Sequence, residues 1–260
     1  MNGNEYIRYI LKKYQPRDLT AYSPELIELK KYVINWAGAS FLKIINSGSR
    51  SKQTAISLSS DVDYLISLHP NCTRQFEGLH GVHKNLYHAL NNKYDSVRKQ
   101  NVSIRLTIKE LEIDITPAKK RPGNTNKHSL YVSKIGSWTL TNVTKHANDV
   151  ILSGIAAEIK LMKIWKELHG LDFPPVYIEY LLIQKILFNK NRGVNKNLSN
   201  FLYTLTELAK NNRNPLFARI VDPANSTNIL SGLLTYREKK DIQIQAKNCL
   251  ETGSLEDIIW

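Results

Sequence analysis

The chain has 260 residues, and 42% of them are hydrophobic. This is enough to bury a sizeable core in one large domain or two smaller ones, and it excludes a disordered chain. With 36 lysines and arginines against 23 aspartates and glutamates, the formal net charge is +13. The surface should therefore attract polyanions such as nucleotides, nucleic acid or an anionic membrane face.

The two cysteines, Cys72 and Cys249, lie far apart in the sequence. Their spacing excludes a disulfide scaffold and a zinc site built from cysteines, and it fits a reduced cytosol. The first helix carries charges in every turn, which excludes the apolar core of a secretory signal. No stretch reaches the ~18–20 apolar residues of a membrane-spanning helix. We therefore predict a cytoplasmic protein without a transmembrane segment.

The first half of the chain alternates helical and extended patterns. Ser23-Pro24 is typical of a helix start, and the short apolar run before SGSRS is typical of a strand that enters a tight turn. Lys109-Glu110 separates two alternating segments as a hairpin turn does. In chain order, the predicted elements are helices Glu5–Tyr14 and Ser23–Trp36, strands Phe41–Ile45 and Val62–Leu68, helix Thr73–Tyr94, strands Val102–Ile108 and Leu111–Ile115, and a basic loop Lys119–Asn124.

After about residue 145 the apolar residues recur at helical spacing, with little strand signal. The predicted helices are Val150–Leu168, Val176–Asn189, Leu198–Ala209 and Leu230–Leu250. We therefore predict an α+β protein with two domains. Residues 1–145 form a domain with a mixed or largely antiparallel sheet and helices, and residues 146–260 form an all-helical domain.

Three aspartates are candidates for a metal site. Asp61 and Asp63 are two residues apart at the start of a predicted strand, so their carboxylates should lie on one face. Asp114 lies between Ile113 and Ile115 in another strand, and an antiparallel neighbour could bring it beside the pair. Adjacent carboxylates repel unless a cation neutralises them, and oxygen ligands suit Mg²⁺ or Mn²⁺.

A possible phosphate site precedes these acids. Gly48 lets the backbone approach a phosphate, while Ser49 and the following amides can donate to its oxygens, and Thr54 supports the turn. Taken singly, each feature has an ordinary explanation: Gly-Ser is a common turn, and Asp-x-Asp is often a solvated strand end. The combination of the turn, the aspartate pair and a third strand aspartate is far more specific.

These residues resemble the catalytic signature of the polymerase-β-like nucleotidyltransferase superfamily. The second half narrows the resemblance, because segments 157–170, 173–182 and 220–230 are similar to 2′-5′-oligoadenylate synthetases and to bacterial cyclic-oligonucleotide (CD-NTase-like) synthases. The resemblance runs from about Phe41 to Cys249. It implies a nucleotidyltransferase sheet, a helical lobe and a nucleotide cleft between them. Gln53 departs from it, since many relatives carry glycine directly before the threonine.

The resemblance also implies roles for individual residues. Two divalent ions held by Asp61, Asp63 and Asp114 would clamp the triphosphate and activate a hydroxyl for in-line attack, with Asp114 serving the nucleophile-side ion. Lys163, ahead of Lys160, would reach the β- and γ-phosphates, although a solvated helix face is the ordinary alternative.

Other residues near these motifs have weaker cases. Tyr177 would stack on a base, with core packing nearly as good an explanation. Asp222 and Asn228 are expected to be structural turn residues, and Glu112 a solvated neighbour of the acids.

The leading functional hypothesis is an enzyme that joins nucleoside triphosphates without a template and releases pyrophosphate. Its linear or cyclic oligonucleotide would activate an effector protein in antiphage defence. A second hypothesis has the same chemistry with a macromolecular acceptor, such as a tRNA 3′ end, a DNA strand or a protein hydroxyl; the charge of +13 favours nucleic-acid binding through a basic surface. A third is a non-catalytic nucleotide sensor or a toxin–antitoxin-type module.

Overall fold

The protein is described by a computed structural model that covers residues 2–59, 62–123 and 125–260. Within these ranges the chain forms two compact units. The sheet unit contains Pro16–Lys52 and Ser59–Ala147. The helical unit contains the chain up to Gln15, the short segment Gln53–Leu58, and Asn148–Trp260. The first helix and the short segment therefore belong with the C-terminal half rather than with the sheet.

The strands of the structure are β1 (Phe41–Asn46), β2 (Val62–Leu68), β3 (Val97–Lys99), β4 (Ile104–Ile108), β5 (Leu111–Lys120), β6 (His128–Val132), β7 (Ser137–Thr141), β8 (Val221–Asp222) and β9 (Asn225–Ile229).

The α-helices are α1 (Gly3–Lys13), α2 (Ser23–Ala37), α3 (Gly48–Ser51), α4 (Cys72–Gln75), α5 (Gly78–Asn91), α6 (Val143–Ser153), α7 (Ala156–Leu168), α8 (Pro175–Leu181), α9 (Asn197–Ala209), α10 (Tyr236–Thr252) and α11 (Leu255–Ile258). A π-helical segment, Leu182–Ile186, continues α8. Short 3₁₀ turns occur at Thr20–Tyr22, Gly38–Ser40, Ser133–Ile135, Val194–Lys196, Pro215–Phe217 and Leu230–Gly232. None of the helices in the described ranges combines the length and apolar character needed to cross a membrane.

Among its described residues, the sheet unit is built on a seven-stranded mixed sheet. Its main path runs β1-β2-β5-β4-β3, and β6 and β7 extend it from the far end of β5. β2 and β5 are parallel, whereas the other neighbours are antiparallel. Apolar side chains of β2, β4 and β5 pack with α2 and α5 in one core. The mixed sheet expected from the sequence is confirmed.

Two sequence predictions in this unit were wrong. The predicted helix Thr73–Tyr94 is broken at Glu77, whose φ of 55° is left-handed, into α4 and α5. The predicted loop from Lys119 was misplaced because Lys119 and Lys120 still belong to β5, where they pair with Ser129 and His128 of β6. β6 and β7 were not anticipated.

The helical unit has its own core, in which α1 packs with α7 and α9 around large buried side chains such as Trp165 and Phe201. The predicted helix Val150–Leu168 is interrupted at Gly154, which has a φ of 67° and separates α6 from α7. One small strand pair, β8–β9, lies within this otherwise helical unit. Ile56 of the short segment packs into the same core.

Candidate active site

The Gly48 turn lies directly against the start of β2. Gly48 has a φ of 63°, in the region that favours glycine. A Cβ atom at this position would overlap the carboxylate of Asp63. The backbone N–H of Ser47 donates to the carbonyl of Asp63 at 2.9 Å. Glycine is therefore required here both for the backbone conformation and for the close approach of Asp63.

Asp63 and Asp114 are direct neighbours in the sheet. They are register partners in the parallel pair of β2 and β5, so their side chains start from backbones about 5 Å apart and share a face. The flanking Val62, Ile113 and Ile115 are buried on the opposite face. The expected neighbourhood of the two acids is present, but through parallel pairing and not through the antiparallel pairing that we expected. Asp61 lies outside the described residues.

An arginine that sequence reasoning missed holds Asp114. Arg105 donates through Nε to Oδ1 of Asp114 at 3.0 Å and through Nη2 to Oδ2, and the Ser103 hydroxyl donates to Oδ1 at 3.2 Å. Arg105 also donates to Glu112 at 2.9 Å. The hydrogen bonds to Asp114, with the nearby charges of Asp114, Glu112 and Asp63, raise the pKa of Arg105 despite partial burial. Asp114 is thus presented as an oriented carboxylate with a permanent cation beside it.

A signal for Arg105 was present in the sequence. Lys109 and Glu110 form the predicted turn, with Ile108 paired to Leu111. Counting back along both strands places Arg105 opposite Asp114, as the structure has it. Glu112 faces Arg105 and Arg98 in two ion pairs, so it is not merely a solvated neighbour.

A cavity of about 320 Å³ opens beside the Gly48 turn within the sheet unit. Asp63, Arg50 and Lys30 contribute its charged groups. The Lys30 ammonium also lies 5.0 Å from the centre of the Tyr64 ring. The remaining lining comes from Leu19, Leu26, Asn46, Ser47, Ser51, Val62 and Tyr64. The cavity thus places Asp63, a candidate metal ligand, beside the cations Arg50 and Lys30. Such an arrangement suits an anionic molecule that binds next to a metal ion.

Thr54 and Lys163 are brought together in the helical unit. The Lys163 ammonium donates to Oγ1 of Thr54 at 2.8 Å, to the Thr54 carbonyl at 3.4 Å and to Glu179 at 3.2 Å. Lys163, Thr54 and Glu179 are all buried. Lys163 is therefore engaged with protein oxygens, and Glu179 is a partner that the sequence analysis did not single out. Lys160 is half-buried, and burial lowers its pKa.

The remaining candidates have structural contacts. Tyr177 is fully buried, and its hydroxyl donates to the Leu216 carbonyl at 2.7 Å. Its ring lies in the core, so packing and not base stacking accounts for it here. Asp222 accepts from the Ala224 N–H at 2.8 Å and from the Asn228 amide at 3.0 Å. These bonds confirm the expected structural role of that turn.

The acids of the sheet unit have the chemistry of a hard-cation site. Asp63 and Asp114 are register partners and supply only oxygen ligands, which Mg²⁺ and Mn²⁺ prefer. Asp63 also lies against Gly48, where any side chain larger than hydrogen would overlap its carboxylate. Within the described residues, no three histidine, cysteine or acidic side chains cluster closely enough to hold a metal ion. Asp61, the third predicted ligand, is not among them. The two described carboxylates therefore supply the type of donor that a divalent ion prefers.

Solved structures share this fold. Escherichia coli MS115-1 CdnC, solved with ATP, superposes with a TM-score of 0.70 at 19% identity, covering 95% of this chain and 89% of that one. Bradyrhizobium diazoefficiens CdnG, a CD-NTase solved with GTP, gives 0.70 at 11% identity, covering 94% and 91%. Elizabethkingia meningoseptica CdnE, a cyclic dinucleotide synthase, gives 0.62 at 14% identity, covering 89% and 92%. The chain therefore has the CD-NTase fold, as its motifs indicated. No family model and no curated protein matches the sequence.

Proposed function

We propose that this chain is a metal-dependent nucleotidyltransferase that joins nucleoside triphosphates without a template and releases pyrophosphate. One observation carries the proposal: Asp63 and Asp114 are register partners beside the Gly48 turn, in a chain with the fold of cyclic dinucleotide synthases. The product is a linear or cyclic oligonucleotide.

Asp61, Asp63 and Asp114 would hold two Mg²⁺ or Mn²⁺ ions. Such ions, when bound, acidify an attacking hydroxyl and neutralise the triphosphate. The protein contributes orientation: Arg105 keeps the Asp114 carboxylate fixed through two of its nitrogens. Gly48 lets Asp63 approach the turn, where Ser49 and the amides of α3 can donate to phosphate oxygens. The hydrogen bonds of Asp114 and the close approach of Asp63 to Gly48 support this proposal, because oriented groups need little reorganisation when a substrate binds.

For the triphosphate we now favour Lys160 over Lys163. The Lys163 ammonium already binds Thr54 and Glu179 in the core, whereas Lys160 is half-buried on the same helix. Burial lowers the pKa of Lys160, and a bound phosphate would stabilise its charged form. Lys163 instead anchors Thr54, which lies between the Gly48 turn and the aspartates in the sequence. Lys160→Gln should raise the KM for nucleotide, whereas Lys163→Gln should mainly lower stability.

The direct test is incubation of the purified protein with labelled nucleoside triphosphates and Mg²⁺ or Mn²⁺. We expect pyrophosphate release and an oligonucleotide identified by mass spectrometry. Asp63→Asn and Asp114→Asn should abolish both, while Asp95→Asn, an exposed acid of the same unit, should change neither. If no combination of nucleotides yields pyrophosphate, or if the Asp63 and Asp114 variants stay fully active, the proposal is wrong.

A second candidate has a macromolecular acceptor, and the net charge of +13 favours it. Lysine and arginine contacts to phosphates dominate such binding and make it salt-dependent. With added tRNA, DNA or protein, the label would then move with the macromolecule instead of a small product. A non-catalytic nucleotide sensor ranks last, because Asp63 and Asp114 are both present and adjacent.

We extend the leading proposal to antiphage signalling in the cytoplasm, with an effector protein as the receiver of the oligonucleotide. The resemblance to cyclic-oligonucleotide synthases supports this step. Extracts of cells that carry the chain should contain more of the product after phage infection than before it. Cells carrying Asp63→Asn should contain none. A level that does not respond to infection would argue for a different role of the same product.

A further inference from the structure

The helical unit contains a cavity of about 660 Å³ that none of the proposed catalytic residues lines. It lies at the C-terminal end of α9, next to the 3₁₀ turn Pro215–Phe217 and to Lys185 of the π-helical segment. Its volume falls within the ~300–1,000 Å³ that is usual for small-molecule sites. The cavity is therefore large enough for a nucleotide.

An aromatic surface borders this cavity. Phe217 lines it and is 41% exposed, and Tyr236 at the start of α10 is 68% exposed. Their ring centres are 5.6 Å apart with planes tilted by 45°. Exposed aromatic rings stack on any nucleobase, because every base presents a flat π-face. The pair therefore offers an exposed surface on which a planar ring could stack.

Positively charged side chains line the cavity or lie close to the Phe217 ring. Lys185 and Arg213 line the cavity, and the ammonium groups of Lys239 and Lys240 lie 5.9 and 5.6 Å from the centre of the Phe217 ring. Of the described residues that line the cavity, Glu207 is the one acid. It is already paired with Lys210 at 2.5 Å. Burial also lowers the pKa of Lys239. Among the described residues, no acidic side chain forms an ion pair with Lys185, Arg213 or Lys239, so an anionic ligand would meet available positive charge.

Hydrogen bonds hold the loop that forms one wall of the cavity. Arg213 adopts a left-handed φ of 53°, which is uncommon for a residue other than glycine. The next residue, Asn214, is buried and holds the loop, because its amide donates to the carbonyls of Leu208 at 2.6 Å and Lys210 at 2.8 Å. Its Oδ1 accepts from the Leu216 N–H at 2.9 Å. Strained backbone that is held in place by hydrogen bonds is common in ligand-binding loops.

We propose that this cavity is a second nucleotide-binding site, whose lining shares no residue with the cavity beside the Gly48 turn. The base stacks on Phe217 and Tyr236, and the phosphates bind Lys185, Arg213 and Lys239. The site needs no divalent ion, because lysine and arginine supply its positive charge. All these residues belong to the helical unit, and the site does not depend on the proposed catalytic function.

Equilibrium binding of ATP in the presence of a chelator tests the proposal on the full chain. The protein should carry Asp63→Asn, so that no turnover occurs. Adding Phe217→Ala should weaken binding by roughly five- to 150-fold, as expected for the loss of one base–aromatic stack. Adding Lys239→Gln should weaken binding and reduce its salt dependence. Phe188→Ala and Lys247→Gln, exposed residues of the same unit, are the matched controls and should have no effect.

Two further probes separate a nucleotide site from simple anion binding. Inorganic triphosphate should bind more weakly than ATP, and its binding should be insensitive to Phe217→Ala. A photoreactive azido-ATP should label the peptide that contains Phe217 or Tyr236, and excess ATP should suppress the label. Equal binding of ATP and inorganic triphosphate, unchanged ATP binding in the Phe217 variant, or labelling confined to the sheet unit would each overturn the proposal. Loss of catalytic activity in the assay above would leave this result unaffected.

Discussion

Removing one partner of the buried Lys163–Glu179 pair should destabilise the helical unit strongly. Their side chains are 4% and 1% exposed, and the ammonium and carboxylate are 3.2 Å apart. Breaking such a pair usually costs about 3–5 kcal/mol, because the remaining charge stays buried. In Glu179→Ala the ammonium keeps its 2.8 Å bond to Thr54, so we expect the lower end, about 3 kcal/mol.

The measurement is thermal and urea unfolding followed by circular dichroism. A loss of about 3 kcal/mol corresponds to a Tm lowered by roughly 6–12 °C for a protein of this size. Lys163→Met with Glu179→Leu removes both charges, and should recover most of the lost stability. Glu251→Ala breaks an exposed pair with Lys247 at 3.8 Å, and should change the unfolding free energy by less than about 0.5 kcal/mol.

Comparing Glu179→Ala with the double variant distinguishes the cost of a buried charge from the cost of a packing defect. If the Tm of Glu179→Ala lay within a degree of that of the parent protein, the buried ion pair would not contribute to stability as we expect. If the double variant were less stable than Glu179→Ala alone, the loss would come from packing and not from the buried ammonium that has lost its carboxylate partner.

Three further predictions concern the sheet unit. Arg105→Gln should lower catalytic turnover at least tenfold, because Asp114 loses the two hydrogen bonds that orient its carboxylate. The same change should tighten Mn²⁺ binding, measured by calorimetry, because the guanidinium no longer competes with the ion for that carboxylate. Gly48→Ala should abolish activity and cost about 1–3 kcal/mol, while Gly136→Ala, with a similar φ of 58° but open space around it, should cost less and stay active. Burial lowers the pKa of His128, so on acidification the imidazole takes up its proton more readily in the unfolded chain than in the folded one. The unfolding free energy should therefore fall as the pH drops below about 6.5. In urea titrations at several pH values, His128→Gln should reduce this dependence on pH.

Each of these has a contradicting result. Weaker Mn²⁺ binding in Arg105→Gln would mean that the arginine assembles the metal site and does not compete with the ion. Equal losses in Gly48→Ala and Gly136→Ala would mean that backbone conformation alone matters, without the approach of Asp63. A stability that does not change between pH 7.5 and 5.5 would show that the buried histidine takes up its proton equally well in the folded chain.

The local chemistry of the candidate site was determined by the sequence. Side chains alternate along a strand, so the sequence pattern alone predicts the face on which Asp63 lies, and β2 begins and ends where the pattern predicts. The Gly48 turn and the hairpin at Lys109 follow from short-range backbone preferences. A helix or strand period depends only on neighbouring residues, and that is why these features can be deduced from the chain alone.

Only the tertiary structure decided which distant segments meet. The parallel register of Asp63 with Asp114 and the contact of Lys163 with Thr54 join residues far apart in the chain, and Glu179 completes that contact from a different helix. No local pattern encodes them, because a partner strand or a buried counter-charge is selected by packing the whole core and by satisfying its polar groups. The sequence therefore determined which face each acid occupies, and packing decided what lies opposite it.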